Sequence, residues 1–186
     1  MFESGWFWGL CALTVFWALG AYNRLVRLRA QVVSRYAELM VALSGLIELA
    51  QNTLSEGVSD AGGPRQDADA SHIAACWRRL NHTSTQASVA LARMQEHCWL
   101  PQSVQDLNQT WRLFEATWDE LKVSPWGLLP EPARIQWQEQ RLLSQPLRRG
   151  FNASVEQYND APAQFPANIV AKLFHFDPAA VLQENA

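Results

Sequence analysis

From Leu25 to Leu54 apolar side chains recur at intervals of three and four residues: Leu25, Leu28, Val32, Tyr36, Leu39, Leu43, Leu46, Ala50 and Leu54. That spacing places them in one stripe along a helix and is incompatible with a strand, whose faces alternate every second residue. Immediately before it, Ser4–Asn23 is a twenty-residue stretch without a charge. No breaker separates Tyr22 from Leu25, so the two segments read as one helix from about residue 5 to residue 54. A helix of this length cannot fold back on itself. That constrains the chain more than any other feature.

As a helix, the charge-free stretch would be about 30 Å long, matching the hydrocarbon core of a bilayer. Trp6 and Trp8 at one end, with Trp17 and Tyr22 toward the other, sit where interfacial aromatic belts are found. The expectation is a transmembrane signal anchor over residues 1–23. A buried core helix and a cleaved signal peptide compete with it. "ALGA" at 18–21 suits cleavage, but only Glu3 precedes the apolar run, where a signal peptide carries positive charge.

Ala21–Val32, "AYNRLVRLRAQV", contains Arg24, Arg27 and Arg29, Arg35 follows, and no acid lies between Glu3 and Glu38. The net charge of −3 gives no general attraction to nucleic acid, so this basic cluster needs a local reason. The positive-inside rule supplies one. The arginines mark the cytoplasmic boundary, giving an inner-membrane, single-pass protein with its amino terminus outside and its bulk inside, where head groups are within their reach.

The remaining chain is helical as well. Glu56–Ala70 is small, polar and rich in Gly and Asp, and reads as a flexible loop. From an N-cap at Ser71, Ile73, Trp77, Leu80, Ser84, Ala87, Leu91, Met94 and Cys98 alternate by four and three, the seam of a bundle helix. A further helix starts near Ser103, with Ser103 and Asp106 spaced as a capping box, and carries Val104, Leu107, Trp111, Phe114, Trp118 and Leu121. After the proline-punctuated 124–132, a last long helix holds Ile135, Leu142, Leu143, Leu147, Phe151, Val155 and Tyr158. Pro146 should bend or split it. Asn168–Phe176 adds a short helix. The fold class is all-α: an N-terminal transmembrane helix continuing into a long antiparallel bundle over residues 24–176, with a tail at 177–186.

Two separated elements resemble LemA proteins. Tyr22-Asn23-Arg24-Leu25-Val26 behind an apolar helix is similar to the Y-N-x-L-V element that opens their first cytoplasmic helix. Toward the carboxyl end, Phe151-Asn152 and Tyr158-Asn159 stand for the two Tyr-Asn pairs, Phe165-Pro166 for Phe-Pro, and Phe174-His175-Phe176 for Phe-Gly-Phe. The sequence departs from the family at Met40, Gly45, Leu46, Gln51 and Pro162, so it resembles a divergent member. The resemblance implies a membrane-anchored helical bundle. It brings no settled biochemical activity and no catalytic residues.

Candidate chemistry is sparse, and the expectation is a non-enzyme without cofactors. His72, His82, His97 and His175 are scattered. His72 and Cys76, four apart, form at most half a metal site, and Cys11, Cys76 and Cys98 are too few for a disulfide framework. Trp77, Trp111 and Trp118 fall on seams and read as core, whereas Trp99, Trp126 and Trp137 near connections are candidates for exposed contacts. Asn152 and Asn159, seven apart, either bond a facing helix and fix its register or contact a partner. The expected partners are the lipid bilayer and unidentified proteins, with homo-oligomerisation through the seams. The expected role is that of a scaffold or interaction factor, against the alternative of a sensor bundle that binds a small molecule outside the cytoplasm.

Overall fold

The computed structural model describes residues 3–60, 67–96, 100–124, 128–163 and 167–183. Helix α1 spans Glu3–Asp60, α2 Asp67–Glu96, α3 Pro101–Lys122 and α4 Glu131–Asp160. A 3-10 turn at Ala161–Ala163 then leads to the short α5, Ala167–Leu173. There is no strand among the described residues. The unbroken first helix is as long as its stripe requires. Leu25, Val32, Tyr36, Leu39, Leu43, Leu46 and Ala50 are buried along it, and Leu28 and Leu54 are partly buried.

Four helices alternate in direction around a core built from these stripes. The seam of α2 (Ile73, Trp77, Leu80, Ser84, Ala87, Leu91 and Met94) is buried throughout, and so is the α3 stripe from Val104 to Leu121. The Tyr36 hydroxyl donates to the Leu91 carbonyl at 2.9 Å and pins α1 to α2. Neighbours α1 and α4, and α2 and α3, pack closely, but α3 and α4 approach each other far less. Large aromatics bridge that gap at one end. Trp118 stacks on Trp137 with centroids 4.2 Å apart and planes 14° from parallel, and Phe114 meets Trp137 edge-on at 5.3 Å.

Several boundaries differ from expectation. The predicted loop at 56–70 is much shorter, because α1 continues to Asp60 and α2 begins at Asp67. Gly57 makes this continuation possible: a Cβ there would collide with the Trp77 ring. Helix α3 starts at Pro101 without a side-chain cap, so the Ser103–Asp106 capping box is not used. A proline in the first turn needs no N–H partner and fixes φ for the helix. Helix α4 passes through Pro146 without interruption, with that residue on the exposed face where water can serve the freed carbonyl.

The register of the first half of α4 also differs. Ile135, Leu142 and Leu143 are exposed, and the core takes Ala133, Trp137 and Ser144 instead. Ile135 and Leu142 each lie two residues from this face, about 200° round the helix. The wide gap toward α3 is filled by the Trp137 indole, which is therefore core and not an exposed contact. Trp99, Trp126, Cys98, His97 and the Phe165-Pro166 pair lie outside the described residues.

Candidate functional site

Two features stand out against this bundle: the end of α1 that extends past its partners, and the carboxyl-terminal segment.

At the projecting end, Trp6, Phe7, Trp8, Leu10, Leu13, Val15, Phe16, Trp17 and Leu19 are exposed, from 44% at Trp17 to 85% at Trp6. At about 100° per residue these positions surround the helix and form a sleeve, not a stripe. The sleeve ends where α5 docks. Ala18, Ala21 and Tyr22 are partly covered, and Leu25 is fully buried with Ala161, Val170 and Ala171. Tyr22 packs against Phe174 at 4.9 Å and Phe176 at 6.1 Å, so the two elements that resemble LemA, far apart in sequence, meet in space. Of the first element Tyr22 and Leu25 make this junction, while Asn23 and Val26 face outward.

This geometry by itself does not show the transmembrane anchor expected over 1–23. Among the described residues, no helix is long and apolar enough to cross a membrane. The charge-free stretch divides into an exposed sleeve and a docking face for α5, and its Gly, Thr, Tyr, Asn and indole groups lower its hydropathy. The four arginines are not equivalent either. Arg24 and Arg27 are exposed just beyond the sleeve. Arg29 lies close enough to Tyr158 to act electrostatically on its hydroxyl. Arg35 pairs with Glu38 at 3.0 Å, one turn along the same helix and well away from the sleeve.

The segment predicted as a tail is anchored in the core by Ala179 and Leu182, which are buried. Two asparagines hold it. The Asn159 side chain donates to the Ala179 carbonyl at 2.8 Å and accepts from its amide at 2.9 Å. Asn152 does the same for Leu182, at 2.7 and 2.9 Å. Seven residues of helix rise about 10.5 Å. Three residues reach about 10 Å only when the chain is extended. The spacing of the asparagines is therefore the spacing of Ala179 and Leu182 on a stretched backbone running antiparallel to α4. These residues do not bond a facing helix. Each side-chain amide pairs with a main chain as a neighbouring strand would.

Further contacts fix both ends of the strap. The Tyr158 hydroxyl donates to the Asp177 carbonyl at 2.9 Å. Burial pushes this hydroxyl above its ordinary pKa of 10.0, Arg29 opposes the shift, and Asp177 adds to it. At the far end the Gln183 amide donates to Asn108 Oδ1 at 3.1 Å, Arg148 donates to the Gln183 carbonyl at 3.2 Å, and Arg112 donates to its Oε1 at 2.6 Å. Asn108 and Arg112 belong to α3, Arg148 and Asn152 to α4, so the strap fills the part of the α3–α4 gap that the stacked indoles leave open. Leu182 does not fill it completely. A cavity of about 10 Å³ remains among Leu43, Leu107, Asn108, Trp111, Arg148 and Leu182. The buried Trp111 indole N–H finds no acceptor.

The asparagines, the strap and α5 all fall within residues 134–186, which match the family model described as LemA family. Over this segment the chain is similar to the LemA family. The LemA match includes Phe151, Asn152, Tyr158, Asn159, Phe174 and Phe176, whereas the Tyr22–Val26 element lies outside it. No curated protein and no solved structure matches the chain. Elsewhere, among the described residues, no group of three or more His, Cys, Asp or Glu side chains is placed to hold a metal ion, and His72 with Cys76 gains no further ligand.

Proposed function

We propose that this LemA-type bundle is a single-pass membrane-anchored interaction protein, held by the apolar sleeve of α1, with its amino terminus outside and the bundle on the cytoplasmic face. One observation carries the reading: nine large apolar side chains are exposed around one end of α1. Each would forgo about 1.5–3 kcal/mol of burial by staying in water. An all-round apolar helix calls for an all-round apolar environment, which a bilayer supplies.

Residues 6–19 alone would span about 21 Å, less than a hydrocarbon core of about 30 Å. Helix α5 supports the rest, since its exposed Ile169 and Leu173, with Phe174 just beyond, extend the apolar surface at the base of the sleeve. Arg24 and Arg27 follow where anionic head groups and the positive-inside rule would place them. The bundle then offers its faces and clefts to partners as a scaffold.

Topology labelling tests the proposal. A chain with its three native cysteines replaced by alanine and Thr85→Cys on the exposed face of α2 is treated with an impermeant maleimide. The expected result is labelling in permeabilised cells only. Labelling in intact cells would place the bundle outside, as the sensor alternative requires. Recovery of the folded chain free of membrane would overturn the anchor.

A further inference from the structure

The strap is held in an unusual way. Most of its polar contacts come from side chains that read main-chain atoms: Asn159 on Ala179, Asn152 on Leu182, Asn108 and Arg148 on Gln183. Such contacts accept any extended backbone, as strand addition does at a sheet edge. Side-chain selection is strongest at three places. The Ala179 position is buried and admits a small residue, the Leu182 position is an apolar socket, and the Gln183 side chain meets the Arg112 guanidinium.

The resident segment satisfies this site incompletely. A neutral amide stands at Arg112 where a carboxylate would form a charge-assisted bond. We propose that the α3–α4 cleft is a binding groove for an extended peptide, occupied in the resting chain by its own residues 177–183. A partner segment displaces it by presenting a small residue, a leucine-sized apolar residue three positions later, and an acidic residue directly after that. This rests on the reading of the bundle as an interaction protein, but not on its membrane attachment.

Displacement in cis is concentration-limited, because a tethered segment competes at a high effective concentration. The test therefore releases the strap first. Leu182→Asp in the full-length, detergent-solubilised chain puts a charge in the socket. The probes are two fluorescent synthetic peptides, residues 176–183 as they stand and the same peptide with Gln183→Glu. The groove predicts that both bind the Leu182→Asp chain, the Gln183→Glu peptide several-fold tighter, and that Asn152→Ala with Asn159→Ala in that chain abolishes binding. The unaltered chain should bind either probe much more weakly.

A Leu182→Asp chain with unchanged helical circular dichroism that takes up neither peptide overturns the groove. Equal affinities for the two peptides overturn the acidic specificity. Should Leu182→Asp unfold the chain, hydrogen exchange of the unaltered protein decides. The Ala179 and Leu182 amides must open far more readily than those of Leu39 and Leu43. Exchange of all four only through global unfolding would make the strap a permanent core element and overturn the proposal. A negative peptide result leaves the topology result untouched, so the two readings fail separately.

Discussion

Replacing Asn152 by alanine removes two hydrogen bonds at once, to the amide and carbonyl of the buried Leu182. A net hydrogen bond contributes about 1 kcal/mol, so the pair accounts for about 2 kcal/mol, and more if both backbone groups stay buried without partners. Asn159→Ala removes the equivalent pair at Ala179. Neither loss can exceed the free energy that docks the strap, because beyond that point the strap leaves and takes its groups into water. The two substitutions should therefore be strongly non-additive: each costs about 1.5–2.5 kcal/mol alone, and the pair scarcely more than the larger single loss. Urea unfolding of the solubilised protein, followed by far-ultraviolet circular dichroism, gives the three differences. Additive losses summing to about 4 kcal/mol would show that the strap does not leave as a unit. Losses below about 0.5 kcal/mol for each single variant would mean that water replaces the asparagines at no cost, and the account of the clip would fail.

Trp118→Ala should cost about 3–5 kcal/mol in the same assay, since the ring is fully buried and stacked on Trp137. Two of the helical glycines should respond with opposite signs: Gly150→Ala, with nothing near its Cβ, should stabilise by about 0.5–1 kcal/mol. Gly57→Ala should destabilise by displacing Trp77, a difference visible as shifts of midpoint in either direction. The raised pKa of Tyr158 means that its contribution is fully present below pH 10.0 and is lost as pH rises through the higher folded-state value. The stability difference between the parent chain and Tyr158→Phe, read by urea unfolding, should change across that alkaline window and stay constant below it.

Most of the bundle was legible because periodicity is written into each helix separately. The stripes of α1, α2 and α3 needed no knowledge of their neighbours. The first half of α4 failed for the opposite reason. Its apolar Ile135, Leu142 and Leu143 suggested a core face, but the width of the α3–α4 gap selects Trp137, and that width depends on Trp118 across the cleft. The division of the α1 end into sleeve and docking face was hidden for the same reason. A count of uncharged residues cannot know that α5 covers Ala18, Ala21 and Tyr22. For the asparagines the spacing was visible and the partner was not. A seven-residue interval fits a helix of two turns and an extended segment of three residues equally well, and only the burial of Ala179 and Leu182 decides between them.

Whether the sleeve of α1 lies in a membrane is tested most directly by alkaline carbonate extraction of membranes from cells expressing the full chain. The unaltered protein should stay with the membrane pellet, and Leu13→Arg with Phe16→Arg should move it to the supernatant with its helical content intact. An unaltered chain that is released by carbonate while still folded would contradict the account.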